Sequence, residues 1–88
     1  MTPTQREILR RIARGATTFV PDRADPEAIA AFRELLGELR ALERSGYFQL
    51  KIRSGGIHGA RGPRKAWIAR LTELGERAIA ELRRDTLA

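Results

Sequence analysis

The side chains able to do chemistry in this chain are nearly all cations, and they are unevenly placed. Residues 47–71 hold six Lys or Arg (Lys51, Arg53, Arg61, Arg64, Lys65 and Arg70) and no Asp or Glu. Residues 1–46 hold eight basic against seven acidic side chains, and residues 72–88 three against four, so the whole formal charge of +6 belongs to one stretch. A cationic block on an otherwise balanced domain is an electrostatic footprint for a polyanion, either nucleic acid or an anionic membrane surface. A membrane surface calls for an amphipathic basic helix, whereas this block carries no helical period, so nucleic acid is the expected partner. Arg61-Gly62-Pro63-Arg64 fits a phosphate-binding loop, with His58 as a further contact. The order of its residues differs from that of a minor-groove arginine hook.

Other chemistries find no constellation. There are no cysteines and a single His, so neither a thiolate site nor a histidine-rich metal site is expected, and His58 has no Ser or Asp partner in context. The glycines at 55, 56 and 59 suggest a phosphate cradle. A nucleotide-hydrolysing loop, however, needs Gly-Lys-Ser/Thr opening a helix, and here a strand pattern follows. The expectation is a protein with no catalytic residues, cofactor, metal or small-molecule ligand. The opening Met-Thr-Pro-Thr-Gln-Arg-Glu has no apolar run after it, so neither a signal peptide nor a membrane span is expected, and the cytoplasm is the default location.

An 88-residue chain makes one domain, 1–88, with apolar side chains enough for a core and few to spare for a deep pocket. Thr2-Pro3-Thr4-Gln5 is a capping-box start, Ile8, Leu9, Ile12 and Ala13 form an apolar stripe, and Gly15 stops that helix. Thr17–Val20 reads as a short extended piece. Asp25-Pro26 launches the longest helix, about five turns, with Ile29, Phe32, Leu35, Leu36, Leu39 and Leu42 inward and Ser45-Gly46 at its end. Arg33, Arg40 and Arg44 fall within about 40° of one another on its outer face at 100° per residue, with Gly37, Ala30 and Ala41 beside them. Glu27, Glu34 and Glu38 lie further round. An arginine strip with small neighbours lets a helix approach a phosphate backbone or enter a groove.

Phe48, Leu50 and Ile52 alternate with Gln49, Lys51 and Arg53, which predicts a strand. Ser54–Pro63 reads as a long basic loop, Arg64–Leu71 as the returning strand, and Thr72 as the cap of a last helix with Leu74, Ala78, Ile79 and Leu82 inward. Trp67 reads as a core residue in preference to a base-stacking one.

Two motifs in this order resemble winged-helix regulators of the MarR and PadR type. Leu39-Arg40-Ala41-Leu42-Glu43-Arg44-Ser45-Gly46-Tyr47 is similar to the end of their recognition helix, of the form L-x-x-L-E-x-x-G-hydrophobic. Leu71-Thr72-Glu73-Leu74-Gly75 resembles the L-T-E-x-G after their second wing strand. The likeness spans about residues 30–82. It departs from the family in having no turn signal to divide Asp25–Arg44 into two helices, and in holding Pro63 and Lys65 where the MarR-type wing carries Asp-x-Arg. The resemblance implies an α+β winged helix (winged helix-turn-helix-like), its helices packed on a small antiparallel β-hairpin. It also implies a double-stranded DNA partner, with Arg33, Arg40 and Arg44 on the helix face and Lys51, Arg53, Arg61, Arg64 and Lys65 on the wing. Such a domain would serve as a transcriptional regulator or accessory DNA-binding protein. A protein–protein module docking an acidic partner through the basic wing is the alternative, and a homodimer through the first and last helices is possible.

Overall fold

Six elements follow one another in the computed structural model: α1 (Pro3–Ala13), β1 (Thr18–Phe19), α2 (Pro26–Arg44), β2 (Phe48–Ile57), β3 (Ala60–Leu71) and α3 (Glu73–Leu87). The structure describes the backbone of residues 1–57 and 60–87 and the side chains of residues 1–54 and 64–84. The fold is α+β, three helices with an antiparallel sheet of order β1-β3-β2. Among the described residues no helix is long and apolar enough to cross a membrane.

The helices begin and end where local chemistry requires. Thr2 Oγ1 accepts the Gln5 N–H while Gln5 Oε1 accepts the Thr2 N–H, closing the capping box. Asp25 Oδ1 accepts the Ala28 N–H at 2.8 Å, and Pro26 follows it at the first helical position. Gly15 and Gly46 take φ of +98° and +93° just past α1 and α2, a left-handed turn that releases the chain from each helix. No second helix stands between β1 and α2, which runs unbroken for 19 residues.

One cluster of buried side chains draws on every element: Ile8, Leu9 and Ile12 of α1, Phe19 of β1, Phe32, Leu36, Leu39 and Leu42 of α2, Phe48 and Leu50 of β2, Ala66 of β3 and Ile79 of α3. Because all three helices feed this cluster, they lie together on one face of the sheet. No described helix covers the other face.

Three expectations are corrected. Ser54–Ile57 and Ala60–Pro63, expected as loop, are strand: Ser54 pairs with Pro63, Gly55 with Gly62, Gly56 with Arg61 and Ile57 with Ala60. A ladder is made by backbone groups, which glycine keeps, so pairing persists where side-chain alternation has ceased. Pro63, which has no N–H to donate, sits beside a register shift between Arg53 and Ser54, a setting that tolerates proline.

Trp67 is not a core residue. A second register shift, between Gln49 and Leu50, leaves Ala69 without a partner, so Leu71 pairs with Phe48 and turns inward while Trp67 stays with Lys65 on the outer face. Leu74 is 47% exposed where an inward position is expected, because Gly75 occupies the inner side of the first turn of α3. The extended piece near Thr18 is a true third strand, with Thr18 opposite Trp67 and Phe19 opposite Ala66.

Candidate nucleic-acid interface

The hairpin of β2 and β3 is held at its base by a polar junction that the two motifs encode. Glu43, in the last turn of α2, accepts the Leu50 N–H through Oε2 at 2.7 Å and the Arg40 guanidinium through Oε1 at 2.6 Å. The Leu50 N–H first, and then Arg40, hold the Glu43 carboxyl below its ordinary value against an opposing contribution from burial. On the other side Thr72 Oγ1 donates toward the Gly46 and Tyr47 carbonyls, the latter at 2.9 Å, and accepts the Gly75 N–H, capping α3. Gly75 packs against the Tyr47 carbonyl so closely that a Cβ there would lie 1.9 Å from its oxygen. Helix, hairpin and last helix are thus locked at one corner. Sequence reasoning missed Glu43 as a positioning residue, although its place in L-x-x-L-E was the available signal.

From that base the hairpin extends beyond the core. Its strands are 10 and 12 residues long, about 33–40 Å at 3.3 Å per residue, and the molecule measures 47 × 22 × 20 Å. Inward-facing core positions end at the paired Ile52 and Ala66. Beyond them the described side chains Arg53, Ser54, Arg64 and Lys65 are exposed.

Register decides which cations share a surface. Lys51 pairs with Trp67 and Arg53 with Lys65, so these four side chains form one block on the outer face. Lys65 Nζ lies 5.8 Å from the centre of the Trp67 ring. Arg64 is the extra residue of the bulge, exposed and outside the strict alternation. Arg61 lies in β3 opposite Gly56, with its side chain beyond the described set. His58 lies outside the described residues.

The three arginines of α2 are less uniform than a helical wheel suggests. Arg33 and Arg44 are exposed, but Arg40 is tied to Glu43 in an i,i+3 pair. Glu38, expected on the solvated side, is half-buried and its Oε2 is occluded without a hydrogen-bond partner among the described residues. Since α2 packs on the inner face of the sheet, its arginines and the block of Lys51, Arg53 and Lys65 do not lie on one flat surface. Beside α2 an open groove of about 420 Å³ is lined by Val20, Pro21, Ala28, Ala31, Phe32 and Leu35 among others.

No described cation of the hairpin is in an ion pair, which is also true of Arg6, Arg11, Arg14, Arg33, Arg44, Arg83 and Arg84 elsewhere; what sets the hairpin apart is that residues 47–71 hold no Asp or Glu. The pairs among the described residues are Arg10–Glu7, Arg23–Asp25, Arg40–Glu43 and Arg77–Glu73, all outside it. Lys51, Arg53, Arg64, Lys65 and Arg70 have no carboxylate partner among the described residues. Compared with protein-family models, with curated proteins and with solved structures, the chain gives no significant match.

Proposed function

We propose that this chain is a winged-helix domain that binds double-stranded DNA without catalysis, as a transcriptional regulator or an accessory DNA-binding protein. The observation that carries the reading is the projecting hairpin, whose exposed cations have no carboxylate partner among the described residues. Unpaired cations retain their full attraction for phosphate, whereas paired ones must first give up a partner. The element order and the strand order β1-β3-β2 support the winged-helix assignment, with the β2–β3 hairpin as wing. In this reading α2 takes the place of the recognition helix and presents Arg33 and Arg44, while Arg53, Arg64 and Lys65 reach phosphates from the wing. Arg40 contributes chiefly by holding Glu43.

Titration of a labelled duplex by fluorescence anisotropy at low salt tests the proposal. Binding is expected at micromolar protein or below, and Arg64→Glu with Lys65→Glu should weaken it at least tenfold while leaving the melting temperature within a few degrees. Absence of duplex binding up to high micromolar protein sinks the proposal. A preference for an acidic peptide over the duplex would instead favour a protein-docking role for the same hairpin.

A further inference from the structure

The outer face of the sheet carries an aromatic ring that the fold does not use. Trp67 sits on β3, the central strand, between Thr18 of β1 and Lys51 of β2. It is half-buried, yet it stands outside the core cluster and the half-buried side chains packed on that cluster. A tryptophan at the centre of a sheet face that no described helix covers keeps part of its ring within reach of a ligand on that face. Around it stand Lys51, Arg53 and Lys65, with no carboxylate partner among the described residues and no Asp or Glu within residues 47–71. Cations at the rim and a π-face at the centre are the two parts of a platform for unpaired nucleotides: phosphates meet the cations and a base stacks on the ring.

We infer that the outer face of this sheet is a second nucleic-acid site, one that binds single strands by stacking a base on Trp67. The occupant is a single strand rather than a duplex because duplex bases already stack on their neighbours and offer no free face. An acidic peptide would satisfy the lysines but leave the ring unused. The site lies on the side of the sheet turned away from α2 and shares Arg53 and Lys65 with the wing of the duplex reading, whereas Trp67 belongs to it alone.

Trp67 is the single tryptophan of the chain, so its own fluorescence reports on the site in the unaltered protein. Titration with a twelve-residue oligothymidylate at low salt is expected to quench that emission to saturation, and added salt to restore it. In an anisotropy assay Trp67→Ala should weaken binding of the oligothymidylate by roughly 5- to 150-fold, with Trp67→Phe recovering most of it and duplex affinity unchanged throughout. Oligothymidylate that does not bind, or binds without changing Trp67 emission, overturns the inference. So does a Trp67→Ala variant that loses duplex and single strand alike, or polyglutamate that binds as tightly as the oligothymidylate. Should Trp67→Ala fail to fold, the quenching titration of the native chain decides by itself. The duplex arm succeeds or fails separately, so a failure here is distinguishable from a failure of the duplex reading.

Discussion

At the scale of single residues, the side chains with the clearest roles hold the hairpin in place and stand back from its charged surface. Glu43 satisfies the partly buried Leu50 N–H, and removing the carboxylate leaves that donor without its partner. Glu43→Ala is therefore expected to lower stability by about 1–2 kcal/mol, measured by urea denaturation. The pH dependence has a definite sign. The folded state holds the Glu43 carboxyl below its usual value of 4.5, so the unfolded chain takes up the proton more readily, and the stabilisation is complete above that value and lost as pH falls below it. Thermal melts should show the native protein's advantage over Glu43→Gln shrinking below about pH 4.5. A gap that stays constant to pH 3 would show that the charge is immaterial. Gly75 is a steric counterpart: Gly75→Ala forces a Cβ against the Tyr47 carbonyl and should cost about 2–3 kcal/mol, whereas the same change at Gly37, where nothing lies within 4 Å of the added carbon, should be neutral or slightly stabilising.

At the scale of elements, the hairpin divides into a base that belongs to the core and a distal part that does not. Phe48, Leu50 and Ala66 are buried, and the core face ends at Ile52. Replacing Ser54–Arg64 by Asn-Gly, which keeps Arg53 opposite Lys65, should accordingly leave the melting temperature within a few degrees of the parent by circular dichroism, since the new turn suits a tight hairpin. Under the duplex proposal the same variant, having lost Arg61, Arg64 and the reach of the distal strands, should bind DNA more weakly. Its log K should also fall less steeply with log salt, by about one for each phosphate contact removed. A shortened protein that binds duplex unchanged would move the contact surface to α2. The last helix is likewise committed internally: Ile79 is buried, Leu82 packs on the core, and Arg83 donates two hydrogen bonds to the Ala13 carbonyl of α1. Of the large apolar side chains described on this helix, Leu74 is the exposed one.

At the scale of the whole molecule, the charge map and the shape act together. A charge of +6 on a 47 Å long molecule, concentrated in its hairpin, creates a directional field. With about six phosphate contacts, log K for duplex binding should fall with log salt at a slope of roughly −5. A slope near −1 would leave the hairpin cations without the role proposed for them.

What was legible in the sequence was whatever depends on local chemistry. The caps at Thr2, Asp25 and Thr72, the glycine stops at 15 and 46, the 19-residue span of α2 and the inward set Phe32, Leu36, Leu39 and Leu42 follow from short-range hydrogen bonds and a 3.6-residue period. The location of the net charge is a matter of counting. What only the tertiary structure decided is everything set by strand register. Two bulges, at Ala69 and Arg64, determine which face each hairpin side chain takes, and the first of them moves Trp67 from an expected core position to the outer face among the cations. Backbone pairing through the glycines turned an expected loop into a long ladder because hydrogen bonding between strands needs no side-chain pattern. Register arises from partners on another strand, and a one-residue shift inverts every side chain beyond it; periodicity within a strand carries no record of that.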